Sequence, residues 1–146
     1  MSKSFAQSKG ARAERQVVQL LQPVVNRVYA AVGLPDEHTP LLMRNSLQSR
    51  NSESTPHFDL IGLDWIALEV KHQETLNLNQ WWAQCLRQAG TSKVPVLIYK
   101  QNNIAFRVMM YGYLPAKERS VKCPVVVSMD DFLVYFENRL LLELMK

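Results

Sequence analysis

The sequence predicts a single α/β domain, a mixed central β-sheet flanked by helices. Three observations carry that expectation. Helical and strand periodicities follow one another in the order α, β, β, β, α, β, β, α, which calls for helices packed on a sheet. The run VPVLIYK, residues 94–100, is nearly continuous in apolar residues, as a central strand covered on both faces requires. The 146 residues are 47% hydrophobic and 21% charged, which suits one domain, 1–146, with a real core and fits neither a disordered nor a fibrous chain.

The first element is a helix from Ser8 to Val32, with Ala13, Val17, Leu20, Leu21, Val24, Val25 and Val28 at helical spacing. Pro23 falls inside it and is expected to kink or split it, while Gly33 and Pro35 end it. LLMRN, residues 41–45, reads as a strand, and SLQSRNSESTPH as a turn-rich loop. FDLIGLDWIALEVK, residues 58–71, reads as a hairpin of Phe58–Leu63 and Trp65–Lys71. NLNQWWAQCLRQAG places Leu78, Trp81, Trp82, Cys85, Leu86 and Ala89 on one helical face, with Asn77 as N-cap and Gly90 as stop. Trp81 and Trp82 are read as core. After VPVLIYK, AFRVMMYGYL reads as the last strand. Ser128-Met129-Asp130-Asp131 then opens a C-terminal helix, 129–145, with a capping serine and acids in its first turn.

Composition excludes several classes. No apolar run is long enough to span a membrane, since Leu140-Leu141-Leu142 lies between Arg139 and Glu143. The N-terminal MSKSFAQSKGARAERQ has no apolar stretch of the kind a secretory signal needs. Cys85 and Cys123 lie far apart without metal-ligand spacing, so the expectation is a cytoplasmic protein with reduced thiols. The net charge is +4, and residues 1–50 hold seven basic residues against three acidic ones, the rest balancing. Such a basic region, which includes Lys9 and Arg12, favours a polyanionic partner; a merely solvated helix face is the alternative.

The hairpin carries the chemistry. Carboxylates and ammonium groups are costly inside a sheet, yet Asp59, Glu69 and Lys71 all lie in this apolar stretch. Alternation puts Trp65, Ala67, Glu69 and Lys71 on one face, and Ile66, Leu68 and Val70 on the other. A two-residue loop, Leu63-Asp64, would pair Asp59 with Leu68 and turn it away from Glu69. A three-residue loop, Gly62-Leu63-Asp64, would pair it with Ala67, diagonal to Glu69. On a shared face, two carboxylates suit Mg²⁺, or Mn²⁺ in its place, together with substrate phosphate. Lys71 would then orient an attacking hydroxide or stabilise the transition state. The plainer alternative is a Glu69–Lys71 salt bridge at a sheet edge.

An upstream aspartate, a short hairpin and Glu-x-Lys resemble the PD-(D/E)xK nuclease motif, here Pro56-His57-Phe58-Asp59 with Glu69-Val70-Lys71. SKGARAERQVVQLL, RNSLQSR, DLIGL, IALEVKHQETLNLNQWWAQCLRQA and VPVLIYKQN resemble the phage and archaeal Holliday-junction resolvases of that superfamily, over about residues 8–110. At Asp59 the Pro-Asp dipeptide is absent, and so is a Gly-rich turn between Arg50 and Asp59. The resemblance implies the restriction-endonuclease-like fold and a Mg-dependent endodeoxyribonuclease. It implies metal binding by Glu14, Asp59 and Glu69, with the Val70 backbone carbonyl as a further ligand, and hydrolysis leaving a 5′-phosphate. Glu14 has an alternative reading as an exposed helical acid paired with Lys9 or Arg12.

Around that site, Lys9, Arg12, Arg44, Gln48, Arg50, Gln73 and Gln80 are the candidate DNA contacts. The three histidines, His38, His57 and His72, are read as incidental. The C-terminal helix has two apolar stripes: Phe132, Leu133, Phe136, Leu140 and Leu144 toward the core, and Val134, Leu141 and Met145 outside it. A four-way junction is two-fold symmetric, so the second stripe is the candidate interface of a homodimer. The rivals are a nickase or restriction-type nuclease of the same fold, and a non-catalytic nucleic-acid-binding protein on a degenerate nuclease fold.

Overall fold

Six strands form one mixed sheet in the computed structural model, which describes residues 2–45 and 58–146, with side chains from residue 9 onward. The strands are β1 (Met43–Arg44), β2 (Leu60–Ile61), β3 (Ile66–His72), β4 (Val94–Lys100), β5 (Arg107–Ala116) and β6 (Arg119–Ser128), and they are neighbours in that order. The helices are α1 (Ser2–Ala31), α2 (Leu78–Ala89) and α3 (Met129–Leu144), with a 3-10 turn at Asp36–His38. β3 and β4 run parallel, joined through α2, and the other neighbouring pairs are antiparallel. The α/β class expected from the sequence is the observed one.

The sheet is covered on both faces. On one, Ile66, Leu68, Val70, Val96, Ile98 and Val108 pack with the inner stripes of α1 and α3, where Phe132 and Phe136 are fully buried. On the other, Leu97 and Tyr99 pack under Trp81, Trp82 and Cys85 of α2, with Trp82 edge-on to Tyr111 at 5.3 Å. Each fully buried large side chain contributes about 1.5–3 kcal/mol, so both tryptophans act as core, as expected. No helix among the described residues is long and apolar enough to cross a membrane.

Several local expectations are corrected. Pro23 neither splits nor ends α1, which runs unbroken through it. An interior proline costs about 3 kcal/mol, and burial of Val17, Leu21, Val24, Val25 and Val28 on the sheet offsets that. Leu20 lies off this stripe and is exposed. The helix ends as Gly33 predicts: with φ +79, it donates to Ala30 O while Leu34 N–H reaches Tyr29 O. Asn77 holds the N-cap position of α2 without a side-chain bond, whereas Ser128 Oγ caps α3 by accepting from Asp131 N–H. The sheet has six strands rather than five, because RSVKCPVVVS pairs along β5 as an edge strand whose Pro124 needs no ladder partner. Trp65 precedes β3 and escapes its alternation. It packs 6.2 Å from Phe136, beneath the Arg139 guanidinium, on the face away from Ala67.

Candidate active site

The pairing of β2 with β3 decides where Asp59 points. Leu60 pairs with Leu68, and Asp59 lies just before β2, with its N–H turned to the Leu68 carbonyl and its C=O turned to β1. Neither expected loop is formed. The connection is wider, opened by Gly62 at φ +130, where a Cβ would lie 2.5 Å from the Leu41 carbonyl oxygen. Asp59 therefore escapes the ladder alternation, and its carboxylate is placed by its bond to the Val70 N–H, between Glu69 and Lys71.

Backbone bonds hold it there. Asp59 N–H donates to Leu68 O at 3.1 Å, and Asp59 O accepts from Asn45 N–H at 2.9 Å. Its Oδ2 accepts the Val70 N–H at 2.8 Å. The N–H and C=O of one strand residue point toward the same neighbour, so the Val70 carbonyl is directed to the Asp59 side of β3. Asn45 completes the clamp from β1, being buried and donating its Nδ2 to Phe58 O at 2.9 Å. Sequence reasoning missed Asn45; a buried amide closing a two-residue strand leaves no periodic signal.

Glu69 is 2% exposed and Lys71 is half-buried on the same side of β3, the side covered by α2. Cys85 of α2 senses both carboxylates. Its thiol is pushed up to about 12, first by burial and then by the negative charge of Glu69, with Asp59 adding to the shift against a bond from the Val96 backbone. Asp59 and Glu69 thus act on one point of α2.

Glu14 is buried on α1 rather than exposed, and its Oε1 meets Arg44 Nε at 3.4 Å. Arg44, expected to contact DNA, keeps its side chain 38% exposed beyond that pair. Among the described residues no group of three His, Cys, Asp or Glu side chains is gathered to hold a metal ion. Asp59 and Glu69 offer two carboxylates that both act on Cys85. That donor set still fits Mg²⁺, which takes one or two carboxylates and fills its other positions with water and phosphate.

Among the candidate DNA contacts, Lys9 is half-buried and Arg12 exposed on α1, while Gln73 and Gln80 are exposed just after β3 and in the first turn of α2. Gln48 and Arg50 lie outside the described residues, as do Pro56, His57 and most of the loop before Asp59. Lys100 went unnoticed in the sequence because it ends an apolar run, yet it pairs with His72 at the end of the sheet.

No family model matches the sequence, and no curated protein matches it. Among solved structures, the chain is similar to Archaeoglobus fulgidus Hjc, a Holliday junction resolvase from an archaeal hyperthermophile. The identity is 16%, the TM-score 0.48, and the match covers 86% of this chain and 96% of that one.

Proposed function

We propose that the protein is a metal-dependent DNA endonuclease of the PD-(D/E)xK type, acting as a Holliday-junction resolvase in the cytoplasm. One observation supports the reading: the Asp59 carboxylate accepts the Val70 N–H, the backbone link between Glu69 and Lys71, which share one side of β3. The sequence motif asks for that constellation, and a one-residue slip would have dispersed it. Asp59, Glu69 and the Val70 carbonyl would hold Mg²⁺, or Mn²⁺ in its place, and Glu14 would approach from α1. The bound ion would lower the pKa of a water and offset charge developing on the phosphodiester. Lys71 orients the attacking water and stabilises charge on the phosphate oxygens. The Val70 N–H fixes the Asp59 carboxylate, and the α2 side of the sheet shields Glu69 from bulk water.

Two-fold symmetric junctions need two such centres, so the reading includes a homodimer built on the outer stripe of α3. Incubation of the purified protein with a synthetic four-way junction and a linear duplex of the same sequence, with and without Mg²⁺, is the direct test. Paired, Mg-dependent cuts in the junction with an intact duplex are expected. Equal cutting of both substrates would favour a restriction-type enzyme, and binding without any cutting would favour the non-catalytic alternative.

A further inference from the structure

β3 and β4 end side by side, with His72 paired to Lys100 in register and Gln73 N–H donating to Lys100 O at 3.1 Å. Adjacent pairing puts the His72 and Lys100 side chains on the same face of the sheet, the α1 face, opposite to that of Glu69 and Lys71. The turn after β4 is tied to the segment after β3. Gln101 Nε2 donates to Glu74 O at 2.6 Å, and Glu74 Oε1 accepts the Asn102 N–H. His72 Nε2 and Asn102 Oδ1 lie 2.9 Å apart, so the imidazole is fixed rather than free to swing. Lys100 is half-buried, with its Nζ 5.2 Å from the Phe106 ring centre.

α1 passes over this corner and brings Lys9 and Arg12, one helical turn apart, toward it. Burial lowers the His72 imidazole below its usual value. The Asn102 contact opposes that, while the charges of Lys9, Lys100 and Arg12 add to the lowering. All three charges acting on the ring are therefore positive. Two elements, α1 and β4, thus converge three cations on a fixed imidazole of β3, and Glu74, the acid of the neighbouring segment, is occupied by a backbone N–H. Like charges gathered this way repel one another, and an anion among them relieves that cost.

We propose that Lys9, Arg12, His72 and Lys100 form a binding site for one backbone phosphate of the nucleic-acid strand, distinct from the phosphate that is cut. This rests on the nuclease reading and extends it. The carboxylates work on the α2 side of β3, while the strand is gripped at the sheet's end on the α1 side. The four residues are positioning groups that fix the path of the strand across the end of β3. The chemistry recognised is a phosphodiester oxygen, with no base contact, so the grip is independent of sequence.

The test is fluorescence anisotropy with a labelled four-way junction and a labelled duplex, in EDTA so that nothing is cut, over a salt series. Lys9→Ala and Lys100→Ala should each weaken binding to both DNAs by about tenfold. Each should also flatten the log–log salt dependence by up to about 0.9, the value for one phosphate. Because both lysines serve the same phosphate, the double variant should lose less than the sum of the two single losses. Lys117→Ala removes the same charge from the β5–β6 turn, at the far end of β5, and should leave binding unchanged. Cluster variants with wild-type affinity and slope, or an equal loss from Lys117→Ala, would overturn the site while leaving the nuclease reading intact. Wild-type protein that binds neither DNA would instead remove the nuclease reading itself.

Discussion

Asp59 is tied through its carboxylate to the backbone of Val70, 2.8 Å away, the residue that separates Glu69 from Lys71. The bond fixes an acid from one strand against the backbone between the other two charged groups. It also separates two roles of Asp59, as an acceptor for the backbone and as a carrier of charge.

Those roles give distinguishable variants. Asp59→Asn keeps an oxygen that can accept from Val70 and loses the charge, so the fold should hold while cleavage falls by at least about a hundredfold. Glu69→Gln and Lys71→Ala should lose cleavage similarly, with junction affinity kept within a few-fold because phosphate contacts elsewhere dominate binding. Asp59→Ala removes both roles and should also lower stability by about 1–3 kcal/mol. Single-turnover cleavage and thermal melts of the same preparations check both parts. An Asp59→Asn enzyme that still cuts in Mg²⁺ would show that the site is wrongly placed.

Gly62→Ala tests the register. At φ +130, with the Leu41 carbonyl oxygen 2.5 Å from where the Cβ would sit, alanine must displace backbone. A loss of about 1–3 kcal/mol in stability is expected, with cleavage falling further than stability because Asp59 leaves its place on the Val70 N–H. An unchanged melting temperature would mean that the hairpin does not need this backbone angle.

Cys85 gives a pH signature. Its thiol titrates near 9.0 in the unfolded chain and at about 12 in the folded one, so the folded state holds the proton more tightly. The resulting stabilisation is complete below about pH 9 and is lost as the pH rises toward 12. Urea melts in EDTA across that range should steepen in pH dependence for wild type and flatten for Cys85→Ala. Thiol reagents should label the half-buried Cys123 well before Cys85.

On α3, Val134, Leu141, Leu142 and Met145 are 62%, 39%, 59% and 71% exposed, which gives the helix an apolar outer stripe in the single chain. A dimer at micromolar concentration is expected. Changing Leu141 and Met145 to Glu should yield a folded monomer that nicks without pairing its cuts. Light scattering that finds wild type monomeric would rule out this interface.

How much of this was legible in the sequence varied with how local the deciding force is. The apolar stripe of α1, the α2 core face with Trp81 and Trp82, and the caps at Gly33 and Ser128 follow from spacing and backbone chemistry, and the molecule obeys them. The strand β6 was missed because Pro124 and the alternating polar residues of RSVKCPVVVS look like loop until an edge position excuses the missing N–H. Continuity of α1 through Pro23 was unreadable because packing overrode a local cost. The register of Asp59 depended on how far Gly62 opens the turn, which no spacing rule fixes. The Glu14–Arg44 contact was not legible for a related reason: Arg44 comes from thirty residues away, across a boundary between helix and sheet.

The sheet is also unevenly sewn. β5 and β6 pair along ten residues each, whereas β1 and β2 have two each, and Asp59 is anchored on that thin margin by Asn45, Leu68 and Val70. Regions with few backbone bonds open at a fraction of the global unfolding free energy. The amides of Asn45, Asp59 and Val70 should therefore exchange with solvent deuterium sooner than those of Leu97 and Ile98. In mild denaturant the carboxylate pair should come apart while the core is still intact, so loss of the proposed cleavage should precede melting.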